Sequence, residues 1–524
     1  MKSFLSKIRQ CALFPFEEGV NVFMLLLLLS ISINVPFLYS RGYSYDSYLY
    51  FVGGMVSSYL IVFIGSVLSP KLFKWYGICW GVLGFVSITI DVFLTTKMNT
   101  ANFFGYSEIV LNSNMEEVKE FFNSMIDYSI IIKELIVIFI IAILYYIMNK
   151  IEIHLQNIMK YLLLSFVIYG LHTSYYNRAA VLGTIPFKYI SLLLVPQPVD
   201  LSKHQNCPDI SLNHSLPHNL VIIIGESFSK SHSSLYGYPL RTNPCLGKLK
   251  KDGQLFVFNN VEAAATRTLE SFKFFMSTYD DNSDFEWYEG VTIPEMLNKI
   301  GYHTVWISNQ EQKGFYGNII SCYASLCGKL VYTDKKRNCF DENVIPIIKN
   351  NLINSDSCSC YFVHLMGSHE DFTKRYPQSK SHFREEDSFY LKYHSPKARR
   401  SVAAYDNSVL YNDSVVSEII NLFKERQAVV IYFSDHGLDL FESSYDYVGH
   451  ARPADKESLE FGKRIPFLIY VSDPFAYAYP DVVSKIAKSQ NNSFNTSNLI
   501  YMIMGIVGCE FTSQKDTNMK SLIR

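Results

Sequence analysis

Apolar and polar positions divide the chain into two parts. Over the first 176 residues the apolar positions form long runs: Val20–Tyr39, Tyr48–Leu68, Phe73–Thr95, Tyr128–Met148 and Ile158–Tyr175. Each is near the ~20 residues that a bilayer-spanning helix needs. One such run would suit a buried helix of a soluble protein; five in succession predict a membrane domain over residues 1–176. The first run is too long for a signal-peptide core and lacks a small-residue cleavage site, so it reads as a retained anchor. Lys2, Lys7 and Arg9 precede it, Lys71 and Lys74 lie between the second and third runs, and Lys150 and Lys160 flank the junction of the last two. Basic residues favour the cytoplasmic side. The N-terminus is therefore expected in the cytoplasm, and an odd number of spans puts everything after about Asn177 outside it.

Residues 177–217 read as a connector, with Pro186, Pro196, Pro198 and Pro208. Its amphipathic stretch Phe187–Val195 is expected to lie on the membrane surface. From Asn219 the pattern changes again. Short β-rich runs (Leu220–Ile224, Thr304–Ile307, Tyr361–Val363, Val429–Phe433, Phe467–Val471) alternate with helical stretches such as Pro294–Ile300, Glu342–Leu352 and Ser401–Lys424. That alternation predicts an α/β domain over 218–524 with a largely parallel sheet.

Composition narrows the function classes. Charged residues are 18% and aromatic residues 15% of the 524, and the net charge is −1. With no basic stripe or zinc-finger spacing, a nucleic-acid partner is excluded. Eight of the ten cysteines lie beyond residue 200. An even count in an exported domain predicts disulfides, with Cys322–Cys327 able to close a small loop.

The chemistry gathers at the strand ends. The first run leads into Gly225-Glu226, the second into Ser308 and Asn309, and the third into His364 and then His369. The fourth leads into Ser434-Asp435-His436-Gly437 and the fifth into Asp473. In an open α/β sheet, ligands bind beyond the carboxyl ends of the strands. Five polar strand ends on one edge point to a site, and Glu226, Asp435 and His436 form a donor set suited to zinc. The segment VEAAATRTLESFKFFMS, Val261–Ser277, supplies a hydroxyl at the start of a helix predicted over Leu269–Met276. There a metal and helix amides favour a nucleophile. Thr266 and Thr268 suit the helix cap equally, and the choice between them stays open on these grounds.

Four segments occur in order: GESFSKSHSSLYGYPLRTNP, AAATRTLESF, VHLMGSH and FSDHG. With the five apolar runs, they resemble the membrane-bound phosphoethanolamine transferases of Gram-negative bacteria, which modify lipid A or lipopolysaccharide core. The resemblance extends over nearly the whole chain. It implies an alkaline phosphatase/sulfatase-like domain in the periplasm, anchored in the inner membrane by five transmembrane helices, acting as a monomer. It implies that Glu226, Thr268, Asp435 and His436 hold one tight zinc. Thr268, matching the second Thr of the family's T-x-T segment, would take phosphoethanolamine from phosphatidylethanolamine and pass it to a lipopolysaccharide hydroxyl. His369, and His450 in YVGHARP, match family histidines near the phosphate and a second, weaker zinc site. Lys313 in SNQEQKG resembles a lysine that contacts the donor phosphate, with Asn309 beside it. The stretch EIVLNSNMEEVKEFF resembles an external loop, and its Ser113, Asn114 and Glu117 are candidates for the lipid headgroup. Many relatives carry Glu where this chain has Leu438, and Asp439 or Glu442 is a candidate to replace it.

Two other readings share parts of this pattern. A phosphoglycerol transferase or sulfatase-like hydrolase shares the nucleophile and metal but differs in substrate. A non-enzymatic membrane sensor would have lost at least one of Glu226, Thr268, Asp435 or His436, and all four are present.

Overall fold

The computed structural model describes residues 2–41, 45–97, 128–151, 157–176, 207–212, 219–310, 319–333, 340–353, 358–388, 395–444, 447–452 and 455–511. The chain divides into two compact units, Met1–Pro196 and Gln197–Arg524.

In the first unit, five long helices occupy the five apolar runs: Val20–Arg41, Tyr45–Gly65, Pro70–Lys97, Tyr128–Ile151 and Asn157–Tyr176. Small residues let two of them approach closely. A Cβ on Gly54 would lie 2.8 Å from the Ser30 Cβ, and the Ser30 and Ser58 hydroxyls lie 3.5 Å apart across the two helices. Large apolar side chains such as Leu135, Ile136, Phe139 and Ile140 face outward, a surface that water disfavours. Among the described residues, Pro70–Leu94 is long and apolar enough to cross a membrane. Ser6–Phe16 with Val20–Ser30, bent by 52°, makes a second crossing if the pair is one span. Phe51–Gly65, Leu135–Ile147 and Ile158–Thr173 are shorter apolar helices. The five predicted runs thus correspond to five helices.

The second unit is built on a seven-stranded sheet. Its strands are β1 (Asn219–Gly225), β2 (Leu255–Val257), β3 (His303–Ser308), β4 (Lys329–Tyr332), β5 (Ser359–His364), β6 (Ala428–Ser434) and β7 (Phe467–Val471). Their order across the sheet is β2-β7-β6-β1-β5-β3-β4. Every residue of β1 is buried. Leu220, Ile222 and Ile224 enter one core, and Val221 and Ile223 enter the other, as expected for a central strand covered on both faces.

Register positions the site. Gly225 pairs with Ser434, Ile224 with both Phe433 and His364, and Ser308 with His364. Four parallel strands therefore end level, and the polar residues that follow them meet. The fifth predicted strand end does not. β7 runs antiparallel to β6, and β2 antiparallel to β7, so the sheet is mixed. Asp473 is carried to the opposite edge. There Ser472 donates its N–H to the Ala428 carbonyl at the start of β6 (3.1 Å), and Asp473 accepts from the Gln254 amide (3.0 Å). An apolar run of five reads the same in either direction, so strand polarity was not visible in the pattern.

Part of the expected connector is also ordered in this unit: Ile210–Leu212 pairs antiparallel with Cys509–Phe511. Phe187–Val195 lies outside the described residues. No disulfide forms among the described cysteines. Cys322 and Cys327 are not joined; both are buried in the core, as is Cys360, where a thiol packs as a small apolar group.

Candidate active site

Glu226 is aimed by a strained turn. Ser227, directly after it, has a φ of 61°, a left-handed conformation that costs a non-glycine residue roughly 1–3 kcal/mol. Hydrogen bonds hold the turn. The Ser227 N–H donates to Asp435 Oδ1 at 3.1 Å, and the Phe228 N–H to Ser434 Oγ at 2.8 Å. The Tyr405 hydroxyl donates to the Ser227 carbonyl and accepts from the Ser229 N–H, both at 2.7 Å. The loop after β5 backs the same residue. Gly367, at φ 57°, lies so close that a Cβ would sit 2.5 Å from the Glu226 carbonyl oxygen. Asp341 fixes that loop by accepting from the Met366 and Gly367 N–H groups at 2.7 and 2.8 Å.

The donor atoms of Glu226, Asp435 and His436 all lie within 4.8 Å of one another, and the three residues are buried. His436 Nε2 is 3.2 Å from Glu226 Oε1 and 3.6 Å from Asp435 Oδ2. The Gly437 carbonyl lies 2.7 Å from His436 Nδ1. A carbonyl can only accept, so Nδ1 carries a proton, and loss of the other leaves an Nε2 lone pair facing the carboxylates. Asp435 Oδ1 accepts from the Ser227 and His436 N–H groups, whereas Oδ2 is buried without a hydrogen bond. A buried carboxylate oxygen with no donor is costly unless a cation answers it. Burial and the Glu226 charge push the Asp435 carboxyl up. Burial alone would raise Glu226 and lower His436. The His436 hydrogen bond and charge hold Glu226 below the usual carboxylate range, and the two carboxylates hold the imidazole up, to about 9. Two carboxylates and one imidazole out of water fit a divalent metal.

Position separates the two threonines. The helix after the ATRT segment runs Thr268–Phe275, anchored by the fully buried rings of Phe272 and Phe275. Thr268, its first residue, places Oγ1 3.2 Å from each Glu226 oxygen and 3.3 Å from His436 Nε2. Thr266 instead packs against Gly462, where an added Cβ would lie 3.0 Å from its methyl. Thr268 therefore joins the cluster at the end of a helix whose first N–H groups lack helical partners.

The other predicted residues are distributed around this centre. The His450 ring lies 4.8 Å from the His436 ring, and burial together with the neighbouring His436 charge holds it well down. His369 is near enough for its charge to act on Glu226 and His450. Asn309 is fully buried; its amide donates to Asp341 at 2.8 Å and its oxygen accepts from Thr333 at 2.6 Å. It bears on the site through Asp341 and the Gly367 loop. The next residue, Gln310, reaches Glu226 Oε2 at 3.4 Å and the Leu365 carbonyl at 2.8 Å. Sequence reading missed it by one position, which in extended chain is a change of face. Lys313, Ser113, Asn114 and Glu117 lie outside the described residues.

His364 is a buried histidine between the rings of Phe272 and Trp306, with Nδ1 3.2 Å from Ser308 Oγ. Burial lowers it to about 4. At the position of the family Glu, Leu438 is buried. Asp439 accepts from the Ser443 and Ser458 hydroxyls, and Glu442 from Ser231 and the Leu440 N–H. Both carboxylates considered as replacements are already engaged.

Known proteins resemble both the domain and the chain. The family model described as Sulfatase matches residues 218–509. Phosphoethanolamine transferase EptC of Escherichia coli K12 is 27% identical over 310 residues, covering 57% of this chain and 52% of that protein. Phosphoethanolamine transferase CptA of Salmonella typhimurium is 28% identical over 313 residues, with the same shares. The chain spans about half the length of these curated relatives. The zinc complex of the C-terminal periplasmic domain of E. coli EptC matches with a TM-score of 0.56 at 25% identity, covering 61% of this chain and 89% of that one. The integral membrane lipooligosaccharide phosphoethanolamine transferase A of Neisseria meningitidis matches with a TM-score of 0.67 at 17% identity, covering 96% and 98%. That last likeness is one of fold, and it includes the N-terminal unit.

Proposed function

The chain belongs to the sulfatase family, and from that premise we propose that it is a zinc-dependent phosphoethanolamine transferase of the bacterial inner membrane. The observation that carries the reading is Thr268: a hydroxyl at a helix start, 3.2 Å from a buried glutamate and 3.3 Å from a buried histidine. The named activity of the relatives and the fold likeness to an integral membrane transferase support it.

In this reading residues 1–176 form five transmembrane helices, 177–217 a connector with an interfacial helix, and 218–524 a periplasmic catalytic domain of a monomer. Glu226, Asp435 and His436, with Thr268, hold one zinc. Bound zinc eases deprotonation of the Thr268 hydroxyl and offsets negative charge on the phosphoryl group. Thr268 Oγ attacks the phosphorus of phosphatidylethanolamine, the bond to the diacylglycerol oxygen breaks, and diacylglycerol leaves with a proton. Phosphoethanolamine then sits on Thr268. A hydroxyl of lipid A or a core sugar attacks the same phosphorus, and Thr268 is released with its proton restored. The first-turn N–H groups of the helix, which lack helical partners, would be available to the developing charge. His369, His450, Lys313 and Asn309 are assigned to the donor phosphate or its support, with the two histidines also able to hold a second, weaker zinc. Ser113, Asn114 and Glu117 are assigned to the donor headgroup at the membrane. The transferred amine reduces the negative charge of the lipopolysaccharide and so weakens its attraction for cationic peptides.

The test supplies purified full chain with phosphatidylethanolamine labelled in its ethanolamine, together with lipid A or lipopolysaccharide. Diacylglycerol released in step with label gained by the acceptor is expected. Release of free phosphoethanolamine alone, or turnover only of phosphatidylglycerol, would replace this reading with a hydrolase or a phosphoglycerol transferase.

A further inference from the structure

Six residues beyond Glu226, and six beyond His436, the two loops that carry the metal-ligand candidates meet at His232 and Glu442. His232 is buried, 3% exposed. Its Nδ1 lies 2.7 Å from Asp406 Oδ1, and its Nε2 lies 3.8 Å from Glu442 Oε1. Asp406, also fully buried, accepts from the Tyr238 hydroxyl at 2.7 Å through its other oxygen. Glu442 accepts from Ser231 Oγ at 2.6 Å and from the Leu440 N–H at 2.5 Å. The His232 ring stands edge-on to Tyr405, centroids 5.2 Å apart. Tyr405 precedes Asp406 on the helix Pro396–Leu422 and holds the strained turn at Ser227 and Ser229.

We infer that His232 is a positioning residue of the centre, locking the loop that bears Glu226 to the loop that bears Asp435 and His436 through Asp406 and Glu442. The charges favour this arrangement. Burial by itself would keep the imidazole neutral, but the carboxylates of Asp406 and Glu442 reverse that and raise its pKa. The ring, with Nδ1 hydrogen-bonded to Asp406 and Nε2 facing Glu442 at 3.8 Å, thus sits between three separate elements. Groups that orient ligands from outside the metal's own coordination typically change metal affinity about 10–100-fold when removed. The inference rests on the reading of Glu226, Asp435 and His436 as a zinc site.

The test measures zinc affinity of the detergent-solubilised full chain by competition with a chromophoric chelator. Wild type, His232→Gln, Glu442→Gln and the double variant are compared, with thermal melting of each zinc-free protein alongside. A zinc dissociation constant raised about 10–100-fold in His232→Gln, raised less in Glu442→Gln, and no higher in the double variant than in His232→Gln, is expected. Unchanged affinity in His232→Gln would overturn the inference. Should that variant fail to fold because Asp406 loses its partner, unchanged affinity in the milder Glu442→Gln would overturn it equally. Wild-type zinc binding that survives Glu226→Gln with undiminished affinity would refute the zinc reading instead, and the inference with it.

Discussion

Gly367→Ala should damage catalysis without touching a reacting group. The new Cβ would lie 2.5 Å from the Glu226 carbonyl oxygen, 2.7 Å from its nitrogen and 3.0 Å from its Cβ. All three atoms belong to the backbone or base of one residue, so no flexible side-chain tip can swing aside. Either the Met366–Gly367 loop or Glu226 must move, by an amount approaching ~1 Å, and a misplacement of about 1 Å can cost roughly 100-fold in rate. Moving the loop is opposed by the Asp341 carboxylate, which holds both its N–H groups. The left-handed φ of 57° adds strain of roughly 1–3 kcal/mol to folding. A control separates strain from displacement: Gly301 has a φ of 99° with nothing within 4 Å of an added Cβ. Gly301→Ala and Gly367→Ala should both lower the melting temperature. Only Gly367→Ala should lose about 100-fold in turnover of a fluorescent phosphatidylethanolamine. Wild-type turnover in Gly367→Ala, or an equal loss in Gly301→Ala, would refute the reasoning.

Other consequences are open to direct measurement. Tyr405→Phe leaves the buried Ser229 N–H without an acceptor and should cost about 1–3 kcal/mol in chemical denaturation; a loss under ~0.5 kcal/mol would count against the turn being held there. Removing metal with a chelator should abolish diacylglycerol release, and zinc should restore it; full activity in protein verified as metal-free would remove the metal from the chemistry. His232 has a raised pKa in the folded chain, facing Asp406, Glu442, Tyr238 and Tyr405. Its stabilising contribution is therefore complete below the unfolded histidine value of ~6.5 and fades as pH rises through the higher folded value. Melting temperatures of wild type and His232→Gln should converge as pH rises from ~6.5; a gap that widens with pH would contradict that sign.

Local patterns revealed much of this arrangement, and long-range contacts revealed the remainder. A buried β run ending in Gly225-Glu226, and another ending in Asp435-His436, were legible because a strand must turn at the sheet edge and acidic residues are rarely placed there without partners. Level register then brought them together without any further signal. Strand direction was not legible, so Asp473 was placed on the wrong edge. Asn309 was read at the end of β3 and Gln310 was not, because the approach of Gln310 to Glu226 is a contact across 84 positions that the strand pattern does not carry. Thr268 and Thr266 could not be separated by helix-cap chemistry, since only the approach of Glu226 distinguishes them. The His232–Asp406 and Ser227–Tyr405 contacts join residues more than 170 positions apart. No periodicity in either segment carries information about the other. The cysteine count suggested bridges, but Cys327 and Cys360 are filled into the apolar core, where thiol and apolar roles look the same in sequence.

The central claim is that Thr268 carries the phosphoryl group. Intact-protein mass spectrometry of zinc-loaded full chain, incubated with phosphatidylethanolamine and no acceptor, tests it most directly against Thr268→Ala. A single adduct of phosphoethanolamine mass on wild type, mapped by fragmentation to Thr268 and missing from the variant, is the expected result. An adduct that persists in Thr268→Ala, or diacylglycerol release by that variant at the wild-type rate, would contradict it.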